Sequence, residues 1–320
     1  MGINLNKAVW ILVGTRPEVI KQVPVYLACQ KYFGEDQVAL IGTGQHKELL
    51  EQALNHFNVK LDYNFEIMKK GQTLCEVASG VLSHMGILLK EFSPQWVIVQ
   101  GDTSSAAMAA LSAFHNQVNV VHNEAGLRSY DLKNPFPEEA NRKIIGQVAT
   151  YHMAPTAKAY HALVKEGIPS NSIFITGNTG LDSLRMTLNM PIPEATKNII
   201  DDLKKDGLDM VFLTAHRREN SGAGMERWFN ALKTFLDKRT DLGLVYPLHP
   251  NNYAREAAIK YLGDHPRVKM LNAIGYLETT HILNHARFVV TDSGGIQEEA
   301  STLNRPVVIC RKTTEKNGSS

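Results

Sequence analysis

An α/β fold of two doubly wound parallel sheets is predicted by three observations. Short, almost wholly apolar runs recur along the chain, stretches of helical period separate most of them, and the spacing follows no fixed repeat. Strands apolar on both faces belong in a parallel sheet covered by helices on both sides. Uneven spacing argues against an eightfold barrel. At roughly 100–200 residues per domain, a chain of 320 residues has room for two.

The elements follow in order. AVWILVG at 8–14 reads as a strand, and helical period follows over 19–31. VALIGT (38–43), WVIVQG (96–101), VNVVHN (118–123) and SIFITG (172–177) continue the series, with a helix over 104–114. GLDSLRMTL then leads into MPIPEATKN, whose two prolines interrupt the pattern. Strands resume at MVFLTA (210–215), GLVYPL (243–248), RFVVTD (287–292) and PVVIC (306–310). The expected organisation is a Rossmann-like domain over 1–177, a hinge over 178–192 and a second Rossmann-like domain over 193–320. Two such domains facing across a cleft leave ligands at the carboxyl ends of the strands.

Composition narrows the function. A 43% hydrophobic and 21% charged chain excludes disorder as the main state. A net charge of +2 without long like-charge runs disfavours nucleic-acid binding. Cys29, Cys75 and Cys310 are scattered and odd in number, which suits neither a disulfide framework nor a metal motif and points to a reducing cytoplasm. The apolar run at 8–13 is too short for a leader or a membrane span, and Asn6 spoils a myristoylation pattern at Gly2. A soluble, cytoplasmic protein with no membrane partner is expected.

Chemistry is sought at the strand ends, where polar side chains face the crevice. The first strand runs into Gly14-Thr15-Arg16-Pro17-Glu18, and Lys21 follows in the helix; a helix start with nearby cations suits an anion. Asp292-Ser293-Gly294-Gly295 precedes a helix at 296–303. Its glycines would let a phosphate approach the backbone, with Glu299 a turn further on for ribose hydroxyls. The pattern is neither a dinucleotide fingerprint nor a P-loop. His216 beside Arg217 and Arg218, and His249 before Pro250, end two further strands. A lone histidine is more often structural, so His216 carries more weight than His249.

The carboxylates are the most suggestive set. Asp102 and Glu124 close strands separated by one helix, and Glu138 and Glu139 lie in PFPEEANR at 135–142. Acids converging in a cleft split their pKa values, so that one serves as base and another as acid. Arg142, four residues after Glu138, is placed to hold a carboxylate ionised. Glu139 reads as a plain first-turn acid favoured by the helix dipole, and Glu138 as the functional one. His281 and His285 are four apart but lack a third ligand, so no metal site is expected.

These motifs together closely resemble the non-hydrolysing bacterial UDP-N-acetylglucosamine 2-epimerases. They are GTRPE at 14–18, TGQH at 43–46, GDT at 101–103, EAGLR at 124–128, PFPEEANR at 135–142, TGNT at 176–179, HRREN at 216–220 and TDSGGIQEEA at 291–300. The resemblance implies the two-Rossmann, GT-B-like arrangement and reversible interconversion of UDP-GlcNAc and UDP-ManNAc. UDP is eliminated to leave a 2-acetamidoglucal and is added back with a proton on the opposite face of C2. It implies Asp102, Glu124, Glu138 and His216 as catalytic residues, without saying which acid removes the C2 proton. Arg16, Lys21, Arg142, Ser293, Gly294, Gly295 and Glu299 are implied for the substrate. No cofactor is implied; a homodimer is.

The sequence departs from the family in places. Where the family usually continues Arg-Pro-Glu, this chain reads Lys316-Asn317-Gly318 and stops at Ser320. Relatives commonly run some tens of residues further, so exposed apolar surface and looser domain closure are expected. Thr279 stands near a position often aromatic, which leaves uracil stacking there unsupported. Gln45 and His249 match positions of a second, regulatory site in some members, while Glu48 and Gly71 differ from strongly regulated ones. The competing readings are a hydrolysing epimerase releasing ManNAc and UDP, a GT-B glycosyltransferase, and a weakly active UDP-sugar-binding homologue.

Overall fold

The computed structural model describes residues 5–44, 47–67, 71–215, 223–248 and 252–310. The chain divides into two compact units, the first ending at Ser183 and the second beginning at Leu184.

The first unit runs β1 (Val9–Val13), α1 (Arg16–Phe33), β2 (Val38–Gly42), α2 (Lys47–His56), β3 (Tyr63–Asn64), α3 (Leu74–Phe92), β4 (Trp96–Gln100), α4 (Ser104–His115) and β5 (Asn119–Asn123). It continues with α5 (Glu138–Val148), β6 (Tyr151–Ala154), α6 (Ala157–Lys165), β7 (Ile173–Ile175) and α7 (Thr179–Leu188), the last crossing the division. Its seven strands lie in the order β3-β2-β1-β4-β5-β6-β7, and every pair is parallel.

Local chemistry explains the helix starts. Thr15 accepts the Glu18 N–H while Glu18 reaches back, a capping box that begins α1 at Arg16 rather than at 19. Thr73 and Glu76 do the same for α3, and Thr103 caps α4. Ala106, Ala107, Ala109, Ala110 and Ala113 of α4 are buried, so this helix packs its backbone close to the sheet. The core on this side gathers Trp10, Ile41, Met85 and Val97.

The second unit follows with α8 (Glu194–Lys205), β8 (Asp209–Thr214), α9 (Ala223–Lys238), β9 (Leu242–Pro247) and α10 (Asn252–Leu262). It ends with β10 (Val268–Leu271), α11 (Tyr276–His285), β11 (Phe288–Thr291), α12 (Gly294–Thr302) and β12 (Val307–Ile309). Its parallel sheet has the order β10-β9-β8-β11-β12. Phe212, Val245, Ile282 and Val289 pack on one face, and Val211, Phe229, Leu244 and Tyr246 on the other.

Both sheets are therefore the predicted doubly wound parallel type, and each has the reversal of strand order that opens a crevice at its carboxyl edge. In the first unit the reversal lies between β1 and β4, in the second between β8 and β11. Three short strands, β3, β6 and β10, were absent from the sequence reading. Among the described residues, no helix is long and apolar enough to cross a membrane.

Candidate active site

In the first unit the polar motifs converge at the reversal point. The β1–α1 turn carries Gly14, Thr15 and Arg16, and the β4–α4 turn carries Gly101, Asp102 and Thr103. β4 pairs directly with β5, register Gln100 to Asn123, so Asp102 and Glu124 leave neighbouring strand ends. Glu124 sits in the left-handed region with φ +63° and Gly101 at +69°; for a glutamate this costs free energy and is held by its surroundings.

Each acid has its own cation. Lys21 Nζ, from α1, donates to Glu124 Oε2 at 2.5 Å, and Gln100 Nε2 donates to the same oxygen at 2.5 Å. Arg142, from α5, donates to Asp102 Oδ2 from Nε at 2.8 Å and lies 2.7 Å from it at a second guanidinium nitrogen. Asn141 Nδ2 donates to the Asp102 carbonyl at 2.8 Å, fixing the backbone under that acid. One carboxylate thus meets a compact ammonium and the other a planar guanidinium.

Glu139 corrects the sequence reading. It stands in the first turn of α5, yet it is fully buried. It accepts the backbone N–H groups of Ser129 and Tyr130 at 3.0 and 3.1 Å, and Arg142 at 3.2 Å. Arg142 therefore bridges Asp102 and Glu139 at i,i+3 spacing, rather than serving Glu138 at i,i+4. The reason is the 129–130 backbone, which folds back over the start of α5 and needs an acceptor that only a buried side chain supplies. Glu138 Oε2 is buried with no hydrogen-bond partner among the described residues, a costly arrangement for an acid. The segment before α5 contains cis bonds at Asn134–Pro135 and Phe136–Pro137.

Sequence reasoning missed several groups around these acids. Glu18 is 4% exposed: its Oε2 accepts the N–H groups of Gly14 and Thr15, each at 2.7 Å, and its Oε1 accepts the Thr103 hydroxyl at 2.7 Å. Burial pushes its carboxyl up, opposed by the bonds from Thr103, Gly14 and Thr15. Asn123 Nδ2 donates to Gln22 Oε1 and Thr179 Oγ1. His122 and His152 face each other on β5 and β6 and are buried. His122 Nε2 donates to the Gly101 carbonyl at 2.8 Å, which requires the ring to be protonated at that nitrogen. Burial pushes His122 down to about 3 and His152 down to about 4.

In the second unit, Thr214 and Thr291 close the paired strands β8 and β11, their hydroxyls 2.6 Å apart. The Ser293 N–H donates to Thr291 Oγ1 at 2.9 Å, and the Ser293 side chain caps α12, which begins at Gly294 rather than at 296. A β-carbon at Gly295 would meet only Ser293 Oγ, at 3.9 Å. Among the described residues nothing demands glycine there, which leaves room at a helix N-terminus of the kind that binds anions. Tyr276 donates to Glu299 Oε1 at 3.4 Å. Thr279 Oγ1 donates to the Gly275 carbonyl within α11.

Gln45, His216 and His249 lie outside the described residues, as do Arg217 and Arg218. Gly71 is a left-handed turn residue with open space about it. His285 Nδ1 donates to the His281 carbonyl along one helix, and among the described residues no cluster of three metal-ligating side chains forms.

The family profile described as UDP-N-acetylglucosamine 2-epimerase matches residues 32–319. The UDP-N-acetylglucosamine 2-epimerase of Bacillus subtilis is 41% identical over 308 residues, 96% of this chain and 80% of that protein. That of Escherichia coli K12 is 40% identical over 312 residues, 95% and 81% respectively. The crystal structure of UDP-GlcNAc 2-epimerase from Neisseria meningitidis bound to UDP-GlcNAc is similar at TM-score 0.85 and 36% identity, over 96% of this chain and 84% of that one.

Proposed function

The chain belongs to the UDP-N-acetylglucosamine 2-epimerase family, and from that premise we propose that it interconverts UDP-GlcNAc and UDP-ManNAc without hydrolysis. A carboxylate takes the C2 proton, the C2–H electrons form the C1–C2 double bond, and the C1–O electrons leave with UDP. The reverse steps return UDP to C1 and place a proton on the other face of C2. Asp102, Glu124 and Glu138 carry the two proton transfers between them.

The observation that carries this reading is the trio of acids in three different settings. Glu124 is clamped by Lys21 and Gln100, Asp102 by Arg142, and Glu138 keeps a buried oxygen with no hydrogen-bond partner among the described residues. C2 bears no strongly activated proton, so well-placed acids and bases and stabilisation of the leaving group must act together. Lys21 and Arg142 hold the Glu124 and Asp102 carboxylates in place. Arg16, Ser293 and the Gly294 and Gly295 amides are assigned to the diphosphate, Glu299 to the ribose, and His216 to neutralising departing UDP. We assign the working form to a cytoplasmic homodimer with no cofactor, and Gln45 and His249 to a second nucleotide-sugar site.

Proton NMR of the purified protein with UDP-GlcNAc in D₂O tests the proposal. A growing UDP-ManNAc anomeric signal with deuterium at C2 is the expected result. Free ManNAc with stoichiometric UDP would select the hydrolysing reaction instead. UDP binding with no turnover would select the weakly active homologue.

A further inference from the structure

The carboxylate of Glu18 belongs to no role assigned above, yet it holds together the two turns that flank the strand-order reversal. It lies in the first turn of α1 and is almost fully buried. Toward its own helix, Oε2 accepts the Gly14 and Thr15 N–H groups and the Thr15 hydroxyl. Across the crevice, Oε1 accepts the hydroxyl of Thr103, 85 residues away in the chain. Arg16 follows Thr15 directly, and Asp102 precedes Thr103.

A capping box needs only the first half of this arrangement, since its acid reaches back to the N-cap backbone. The second half is additional. Thr103 Oγ1 also accepts the Ala106 N–H and starts α4, so the two helix starts share one carboxylate. The turn is packed closely as well: a β-carbon on Gly14 would lie 2.2 Å from Thr43 Oγ1. Arg142 and Asn141 hold Asp102 from α5, and the Glu18–Thr103 bond ties the Asp102 turn to the Arg16 turn.

We propose that Glu18 is a positioning residue that, through Thr103, sets the spacing between the Arg16 turn and the Asp102 turn. The idea rests on the epimerase reading for its kinetic consequence, though not for its structural one. A misplacement of about 1 Å at a reacting carboxylate is enough to cost on the order of 100-fold in rate. Glutamine reproduces the bridge, with its oxygen at the two amides and its NH₂ toward Thr103 Oγ1. Aspartate, one methylene shorter, can cap α1 but cannot reach Thr103.

The test combines Glu18→Gln, Glu18→Asp, Thr103→Ser, Thr103→Val and the double variant Glu18→Asp/Thr103→Val, each checked for folding by its thermal transition. The expected pattern is kcat within about threefold of wild type for the Gln and Ser variants. It falls at least tenfold for the Asp and Val variants, with no further loss in the double variant, because both remove one coupling. A substrate-independent arm follows amide exchange by mass spectrometry. Thr103→Val should raise exchange at Gly14 and Thr15, whose own bonds to Glu18 it leaves intact, while Thr103→Ser should not. Wild-type kcat in folded Glu18→Asp and Thr103→Val, additive losses, failure of Gln to rescue, or unchanged exchange at Gly14 and Thr15 would each overturn the proposal. If wild type shows no epimerisation, the functional reading falls and the exchange arm alone decides the role of Glu18.

Discussion

Acidification from pH 7.5 to 5.5 is expected to weaken the first unit by about 3 kcal/mol through His122 and His152 alone. Both imidazoles are buried side by side on β5 and β6 and are held neutral, with folded values near 3 and 4 against an ordinary 6.5. The unfolded chain takes up a proton at each as pH falls through 6.5, while the folded chain takes up none in this interval. Integrated over the two pH units, that difference is on the order of 1 kcal/mol per histidine. The sign is fixed by the depressed folded values: stability is full above pH 6.5, declines on acidification, and levels off only below about 3. Glu18 works in the opposite direction, since a carboxyl raised by burial binds its proton more readily when folded. Urea unfolding followed by tryptophan emission in a Trp228→Phe background isolates the first unit, where Trp10 and Trp96 report. His122→Gln/His152→Gln, in the same background, should flatten the pH dependence by the full amount and His152→Gln by half. Equal slopes for the parent and the double variant would refute the assignment of these rings as buried and neutral.

Other outcomes follow from the same geometry. Asp102→Asn and Glu124→Gln should each lower kcat by roughly 10²–10⁴ while UDP still binds, as calorimetry would check. Arg142→Met should leave Asp102 and the buried Glu139 without their guanidinium, costing about 3 kcal/mol in urea unfolding as well as turnover. Gly126→Ala should destabilise the first unit by about 3 kcal/mol, because its φ is +85° and the new carbon would lie 2.3 Å from the Ala159 carbonyl oxygen. Glu166 is held below its ordinary value chiefly by hydrogen bonds from Arg128, so its stabilisation is present above pH 4.5 and lost on further acidification. Glu166→Gln should reduce the acid sensitivity measured below that pH.

The strands most legible in the sequence are those whose residues are apolar on both faces. Val9–Val13 and Val38–Gly42 are buried at every position, and nothing but a covered parallel sheet accommodates that. β6 escaped because Tyr-His-Met-Ala carries a histidine in the core, and β10 because its four residues are only half-buried. The positions of Asp102 and Glu124 were legible because a polar residue ending an apolar strand has to face the crevice. Their partners were not. Lys21 and Arg142 could be named as nearby cations, but which carboxylate each meets depends on how α1 and α5 lie over the sheet. Glu138 and Glu139 share one helical turn, and only the return of the 129–130 backbone distinguishes the buried from the half-buried one. Glu18 gave no signal beyond a capping box, since its second partner is remote in the chain.

The strand order carries a consequence for how the molecule acquires its chemistry over time. β1 and β2 are neighbours in both sequence and sheet, but β4 joins β1 only after the intervening chain has closed a long loop. Non-local parallel pairing of this kind is slow to form, because the closure entropy is lost before the contacts reward it. The turn bearing Arg16 and the turn bearing Asp102 meet only at that docking. In a refolding experiment, helix content should therefore recover in an early phase and nucleotide-sugar turnover in a later one, with a productive site absent from any intermediate in which β4 is still undocked.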